Sequence, residues 1–92
     1  MHYTYIVECS DRSFYTGWTT DLHMRLAAHN AGRGARYTRG RRPVRVVYWE
    51  CFSSRSEAQR REVMIKRQKR SKKEQLIAEF KRRAKASLPC PS

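Results

Sequence analysis

Acidic residues are scarce in this sequence. Only 8 Asp and Glu stand against 21 Lys and Arg, which gives the 92 residues a formal net charge of +13. Such an excess costs self-repulsion in the folded state, and a polyanionic partner is the simplest reason to retain it. Nucleic acid is the commonest partner of this kind, because each neutralised phosphate releases condensed counterions. The charge therefore predicts a nucleic-acid-binding protein.

Long hydrophobic runs and paired cysteines are also missing. No apolar stretch approaches the roughly 20 residues of a membrane span. Neither a lipidation signal nor a signal peptide is visible, so we expect a cytoplasmic protein without a membrane partner. The three cysteines, Cys9, Cys51 and Cys90, form no CxxC pair, which argues against a zinc site and a disulfide framework. Cys9 and Cys51 lie in apolar segments and are expected to be small core residues.

The length leaves room for one hydrophobic core and therefore for one domain. We expect this domain to cover residues 1–86 and a disordered tail to cover 87–92, where prolines are frequent. Side-chain alternation predicts three strands, the first two joined as a hairpin, at 2–9, 14–18 and 44–51. Capping residues and apolar spacing predict three helices, at about 21–31, 55–70 and 72–85. The order β-β-α-β-α-α predicts an α/β (α+β) fold, a small three-stranded sheet flanked by helices.

Arg25 and His29 stand out in the first predicted helix. Leu22, Leu26 and His29 share one stripe at helical spacing, and Arg25 lies on or beside it. A charge in this position either reaches solvent at the edge of the helix or points into a cleft. The histidine is either a satisfied residue at the helix end or part of a site. Both alternatives stay open on this helix alone.

Glu62 stands out in the second predicted helix, because Ala58 and Ile65 on the same stripe should face the core. A carboxylate there must be paired, hydrogen-bonded or bound to a metal. An ordinary ion pair with Lys66, four residues on, is the structural alternative.

Tyrosines are concentrated in the predicted hairpin. Tyr3 and Tyr5 share a face of the first strand, and Tyr15 and Gly17 share a face of the second. Gly17 permits close approach of a ligand or another backbone. A cross-strand aromatic cluster is the alternative interpretation.

These residue types together supply what hydrolysis of a phosphodiester needs. Arginine offers a planar, permanently charged fork for a phosphate. One carboxylate can anchor Mg²⁺, which takes the rest of its shell from water and phosphate oxygens. Tyrosine or histidine can take a proton from the attacking water.

The sequence resembles a GIY-YIG nuclease domain over roughly residues 2–80. Tyr3-Thr4-Tyr5 stands where the family has its first motif, and Tyr15-Thr16-Gly17 stands for the second. The segment 21–30, with Arg25 and His29, resembles the arginine helix of the family, and 58–62 resembles the segment that carries its metal-binding glutamate. The likeness is greatest to the compact single-domain bacterial group.

The resemblance implies a metal-dependent endonuclease that hydrolyses phosphodiester bonds in DNA, including branched or single-stranded forms, with a role in DNA repair. It implies one Mg²⁺ or Mn²⁺ held by Glu62, a scissile phosphate bound by Arg25, and proton transfer by Tyr5 or Tyr15 with His29 nearby. Which tyrosine is the base stays open.

The basic loop at 33–43 and the second predicted helix are expected to bind nucleic acid, DNA rather than RNA. The residues concerned are Arg36, Arg39, Arg41, Arg42, Lys66 and Arg67. The alternative function is a non-catalytic DNA- or RNA-binding module on the same scaffold. The presence of both Arg25 and Glu62 favours the enzyme, because a pure binder has no need of a carboxylate on the inner face of a basic helix.

Overall fold

The computed structural model describes residues 1–86, with side chains as far as Arg83. Its elements in chain order are β1 (His2–Glu8), β2 (Phe14–Thr19), α1 (Leu22–Asn30), α2 (Arg36–Arg39), β3 (Arg45–Phe52), α3 (Arg55–Lys66) and α4 (Arg70–Ala86). The predicted α+β class and element order are confirmed, and the short helix α2 is an addition inside the predicted basic loop. The tail predicted for 87–92 lies outside the described residues.

The three strands form an antiparallel sheet in the order β2-β1-β3. Tyr5 pairs with Gly17 and Val7 pairs with Tyr15 across the hairpin, so all four residues share one face. The predicted alternation of β1 is therefore confirmed. This register determines which face of the sheet carries the tyrosines, because a shift by one residue would turn each of these side chains to the other face.

The sheet separates two hydrophobic clusters. One contains Ile6, Val47, Tyr48, Ile65 and Ile77, and so joins the sheet to α3 and α4. The other contains Tyr5, Val7, Cys9 and Val44, against which Leu22 and Leu26 of α1 pack. Helices thus cover both faces, which buries β1 along most of its length.

Two of the three predicted helix starts are confirmed. The Asp21 side chain accepts from the backbone N–H of Met24 at 3.0 Å, and the Ser54 side chain accepts from that of Glu57 at 3.3 Å. The third capping box, Ser71 to Glu74, is wrong: α4 begins at Arg70 and α3 already ends at Lys66. Ile65 and Ile77 both enter the same cluster, so the chain must reverse between them, and this packing overrides the local signal.

The prediction that Cys9 and Cys51 are small core residues is confirmed for Cys9 and wrong for Cys51. Cys9 is buried with a free thiol, as expected of a small core residue. Cys51 is only half-buried and is disulfide-bonded, contrary to the prediction of a core residue without a disulfide. The odd number of cysteines gave too little information to decide this residue. Among the helices of the described residues, none has the length and apolarity to cross a membrane.

Candidate active site

The site is built around the hydroxyl of Tyr5, on the middle strand of the sheet. Tyr5 is 1% exposed, and its ring lies over Gly17 of the neighbouring strand. A Cβ at Gly17 would lie 2.7 Å from the Tyr5 hydroxyl oxygen and 2.9 Å from the ring carbon that carries it. The absent side chain of Gly17 is therefore what leaves space for the phenol.

Helix α1 brings two further groups to this hydroxyl. Leu22 and Leu26 pack against the sheet, which turns Arg25 and His29 on the same helix towards Tyr5. The His29 Nε2 atom lies 2.9 Å from the Tyr5 oxygen, and the Arg25 Nε–H donates to the same oxygen at 3.3 Å. His29 is fully buried and Arg25 is half-buried, so only the arginine has access to solvent.

The ionisation of the three groups follows from their burial and their neighbours. Burial raises the pKa of Tyr5, and the hydrogen bond from Arg25 opposes this shift. Burial and then the charge of Arg25 lower the pKa of His29. The hydrogen bond to Tyr5 raises the pKa of Arg25. At neutral pH the site therefore holds a cationic Arg25, a neutral His29 and a protonated Tyr5.

Tyr15 is the more accessible of the two motif tyrosines. It is half-buried, and its ring lies edge-on to His29 with 5.5 Å between the centroids. The ring of Tyr37, an exposed residue of α2, stacks on it at 6.0 Å. Arg25 also interacts electrostatically with Tyr15. Tyr15 thus lies between the buried group of Tyr5 and His29 and the surface.

Glu62 approaches from α3. The Thr4 hydroxyl donates to the Ala58 carbonyl at 2.6 Å, which fixes this helix against β1 one turn before Glu62. Glu62 pairs with Lys66 at 3.2 Å, and its side chain is 17% exposed. The Lys66 Nζ atom lies 5.8 Å from the Tyr15 ring. The charge of Glu62 is felt at Tyr5, where it raises the pKa by the smallest of the contributions.

The five predicted catalytic residues thus fall into two groups. Tyr5 contacts both Arg25 and His29, and Tyr15 lies against His29. Glu62 is linked to this group through Lys66, which pairs with it and lies 5.8 Å from the Tyr15 ring. The i,i+4 pair weighed as the alternative for Glu62 is present. The structure does not assign a role to any of the five, so their catalytic assignment stays a prediction.

Helix α2 and the residues just before it supply a part of the site that was not predicted from the sequence. Thr38 is fully buried, with its hydroxyl 2.7 Å from the His29 Nδ1 atom. Gly34 covers the same histidine, since a Cβ there would lie 2.2 Å from Nδ1. Both residues lie in a segment predicted as an irregular basic loop. The Tyr37-Thr38 pair, apolar and β-branched between arginines, was the available signal.

The predicted nucleic-acid-binding arginines differ in their freedom. Arg36 and Arg39 on α2 are exposed, as is Arg67 after α3. Arg41 is held by Asp11 at 3.0 Å and donates to the Tyr37 carbonyl. Arg42 donates to the carbonyl of Arg39 at 2.9 Å. Lys66 is exposed but paired with Glu62. Of these six residues, called the basic rim below, Arg41 lies over the Tyr37 ring at 4.1 Å and Lys66 lies 5.8 Å from the Tyr15 ring. Their contact with nucleic acid stays a prediction.

The donor set near the site fits only a lightly ligated cation. Within the described part of the chain, no three His, Cys, Asp or Glu side chains lie close enough together to hold a metal ion. Glu62 offers one carboxylate that solvent can reach. Mg²⁺ is commonly held by one or two carboxylates, with waters and substrate phosphates completing its shell. The site is compatible with that mode of binding and not with a closed all-protein cage.

Comparisons with known proteins agree with this architecture. The family model of the GIY-YIG catalytic domain matches residues 1–75. The UPF0213 protein of Haloquadratum walsbyi is 60% identical over 78 residues, which are 85% of this chain and 88% of the relative. That of Staphylococcus haemolyticus is 58% identical over 78 residues, 85% of this chain and 95% of the relative. The solution NMR structure of the Bacillus halodurans UPF0213 protein is 52% identical with a TM-score of 0.55, covering 84% of this chain and 82% of that chain.

Fold and match together define a GIY-YIG catalytic domain, a class of nucleases. The chain belongs to this family, as its sequence motifs predicted, and its relatives within the family are UPF0213 proteins. The names of these relatives state no activity.

Proposed function

We propose that the protein is a metal-dependent endonuclease that hydrolyses phosphodiester bonds in DNA. The observation that carries the proposal is the placement of Arg25. Its Nε–H is fixed on the Tyr5 hydroxyl, while the half-buried side chain keeps access to solvent next to Tyr15. A permanently charged fork held in one orientation at the surface suits a phosphate.

Arg25 binds the scissile phosphate and stabilises the charge that develops on it. Its Nε–H is engaged by Tyr5, and Tyr15 is a further hydrogen-bond partner of the side chain. A guanidinium has five N–H donors, so N–H groups remain for phosphate oxygens. The positive charge is already oriented before the substrate arrives, and pre-orientation of this kind lowers the barrier because little reorganisation remains.

The two tyrosines take different roles. Tyr5 is 1% exposed, and its hydroxyl is occupied by Arg25 and His29. Tyr5 therefore orients the arginine. Tyr15 is half-buried and open to solvent, so we assign the base to its phenolate form, which accepts a proton from the attacking water. The water oxygen then forms the new bond to phosphorus as the bond to the leaving oxygen breaks. His29 is fully buried and acts only through Tyr5.

Glu62 is the residue that would hold a divalent cation, Mg²⁺ or Mn²⁺. Such a cation supplies positive charge to the phosphate and to the leaving oxygen. Lys66 holds the carboxylate at 3.2 Å. This pair holds the Glu62 carboxylate in one orientation, and Lys66 can turn to a phosphate when a cation takes its place.

The basic rim supplies the contact with DNA. Arg36, Arg39 and Arg67 are exposed, and exposed cations of this kind bind the phosphate backbone without regard to sequence. Tyr37, stacked on Tyr15 and exposed, offers an aromatic face to an unpaired base. The rim therefore suits branched or single-stranded DNA, and a cytoplasmic role in repair would supply such substrates.

A non-catalytic binding module is the second candidate, because the Glu62–Lys66 ion pair accounts for Glu62 without a metal. Cleavage of labelled duplex, branched and single-stranded DNA and RNA, each with Mg²⁺, Mn²⁺ or EDTA, distinguishes the two. The enzyme cuts at least one DNA substrate with metal and none with EDTA. Arg25→Ala should then lose roughly 10²–10³-fold in rate, while Arg82→Ala, which removes the same charge from an exposed position on α4, should keep the wild-type rate. Binding without cleavage across the whole panel would favour the module.

A further inference from the structure

Thr38 lies at the inner end of a continuous series of hydrogen bonds that begins at Arg25. The Arg25 Nε–H donates to the Tyr5 oxygen at 3.3 Å, and this oxygen is 2.9 Å from the His29 Nε2 atom. On the other side of the imidazole, Nδ1 is 2.7 Å from the Thr38 hydroxyl. That hydroxyl donates to the Ala35 carbonyl at 2.9 Å. The series thus contains four hydrogen bonds and three groups that can both donate and accept.

The two ends of the series fix the direction of every bond between them. A guanidinium can only donate, and a backbone carbonyl can only accept. Because the Thr38 proton is given to Ala35, the Thr38 oxygen must accept from Nδ1–H of His29. The Nε2 atom then carries the lone pair and accepts the Tyr5 O–H. The Tyr5 oxygen in turn keeps its lone pairs for Arg25.

The opposite tautomer would break the series. With the proton on Nε2, His29 and Arg25 would both donate to the Tyr5 oxygen, and the Tyr5 O–H would lose its acceptor. A buried hydroxyl without a partner costs free energy. The backbone N–H of Ala35 approaches Nδ1 only at 3.4 Å, a long contact. The Thr38 hydroxyl gives its one proton to the Ala35 carbonyl at 2.9 Å, and this bond decides the tautomer. The lowered pKa of His29 agrees, because burial and Arg25 disfavour a doubly protonated ring.

The chain around Thr38 is shaped to hold the ring in this position. A Cβ on Gly34 would lie 2.2 Å from Nδ1 and 2.7 Å from Cγ of His29. The backbone therefore closes directly over the imidazole, and Thr38 on α2 seals the remaining side with no exposure of its own. Gly34 and Thr38 together restrict the His29 ring to one position, in which Nδ1 donates its proton to the Thr38 oxygen.

We propose that Thr38 is a positioning residue that holds His29 in the neutral tautomer protonated at Nδ1, and that it thereby orients Tyr5 and Arg25 for the phosphate. The consequence for the phosphate rests on the function proposed above. The assignment of the His29 tautomer is independent of that function. The series ends on a backbone carbonyl, which cannot pass a proton on. His29 is therefore an acceptor that holds Tyr5 in place, and no proton crosses it during the reaction.

The tautomer is measured directly in the ¹⁵N-labelled protein without DNA or metal. Long-range ¹H–¹⁵N correlation spectra distinguish the protonated from the unprotonated ring nitrogen of His29. We expect Nδ1–H in the wild type and in Thr38→Ser, which retains the hydroxyl. Thr38→Val keeps the shape and removes the hydroxyl, so it should show Nε2–H or a mixture. Nε2–H in the wild type would overturn the proposal, whatever the variants do.

Cleavage then tests the consequence for the site. We expect kcat of Thr38→Val to fall by at least about tenfold with KM changed less than about threefold, because a misplaced group costs barrier height rather than ground-state binding. Thr38→Ser should stay within about threefold of the wild type. A folded Thr38→Val, judged by its amide spectrum, with wild-type kcat would refute the positioning role. If the wild type cuts nothing, the proposed function fails while the tautomer assignment is still decided by the spectra.

Discussion

Gly17 and Tyr5 face each other across β2 and β1, with the phenol occupying the space of the missing side chain. Gly17→Ala would bring a Cβ to 2.7 Å from the Tyr5 hydroxyl oxygen, so ring or strand must shift. We expect a loss of about 1–3 kcal/mol in the free energy of unfolding, measured by urea denaturation. Gly40→Ala is the matched control, because a Cβ there meets nothing within 4 Å. Equal stability of the two variants would mean that the phenol does not need this space.

Phenylalanine substitutions separate the roles of the two tyrosines. Tyr15→Phe removes the phenolic oxygen proposed to act, as phenolate, as the base for the attacking water. It should lower kcat roughly 10²–10⁴-fold with little loss of stability. Tyr5→Phe leaves the buried His29 Nε2 without its partner, so it should also cost about 1–3 kcal/mol of stability. The comparison requires kcat and the free energy of unfolding, from urea denaturation, for both variants. A fast Tyr15→Phe beside an inactive Tyr5→Phe would exchange the assignments.

The stability of the protein should depend on pH through His29. Burial and Arg25 lower the pKa of this residue in the folded state, while the unfolded residue titrates near 6.5. The unfolded state therefore binds more protons as the pH falls from 7 to 5, and stability falls with it, at most by about 1.4 kcal/mol per pH unit. Glu8 and Asp11, whose pKa values are lowered by Arg45 and Ser13 respectively, contribute only at lower pH.

Variants at the two histidines of α1 test the origin of that pH slope. His29→Gln removes the buried titrating group and should abolish the slope between pH 5 and 7, whatever its absolute stability. His23→Gln, at an exposed position on the same helix, should retain it. An unchanged slope in His29→Gln would assign the effect to other groups.

Salt dependence of DNA binding tests the basic rim. If about six phosphates are contacted, the log–log slope should be near −5 on duplex DNA. Replacing the exposed Arg36 and Arg39 by Ala should flatten it by up to about two units and weaken all sequences alike. The same loss of charge at Arg82 and Arg83, exposed on α4, is the control. Equal effects of both pairs would mean that overall charge, and not the rim, binds DNA.

The sheet, and the faces on which Tyr5 and His29 lie, could be predicted from the sequence because both depend on periodicity. Alternation along β1 determined that Tyr5 shares a face with Val7, and the stripe of Leu22 and Leu26 brought His29 to the sheet. Helix α2 escaped prediction because four residues, Arg36–Arg39, are too few to show a helical period. The role of Thr38 depends on a contact nine residues away in the chain, with His29, which no local pattern encodes.

Local sequence signals could not decide two further features. These are the boundary between α3 and α4 and the partner of the Glu62 carboxylate. The capping sequence at Ser71 is a valid local signal, but the shared cluster of Ile65 and Ile77 decides where the chain turns. For Glu62, the sequence permitted both a metal ligand and a pair with Lys66. Both remain compatible with the geometry, since the pair is formed and the carboxylate is still accessible. Only an experiment with metal separates them.

Glu62→Gln is that experiment, because the enzyme and the binding module predict opposite results. Gln keeps the shape and loses the charge, so on the enzyme interpretation cleavage should vanish and added Mg²⁺ should no longer raise the melting temperature, since ligand stabilisation follows mass action. Affinity for DNA in EDTA should stay equal or rise, because a negative charge leaves a cationic face. Glu79→Gln, an exposed position on α4, is the control with the same loss of charge and should retain cleavage.

On the binding-module interpretation, Glu62 only pairs with Lys66, at 3.2 Å. Its replacement by Gln would then cost a few tenths of a kcal/mol, and Mg²⁺ would have no effect on the wild type either. Melting curves of wild type and variant with Mg²⁺, Mn²⁺ and EDTA, at equal ionic strength, separate this case from a general salt effect.

Because a carboxylate released from Lys66 is free for a cation, Lys66→Met should raise the affinity for Mg²⁺ if Glu62 is the ligand. A wild-type protein whose melting and cleavage ignore both metals would exclude a metal site at Glu62.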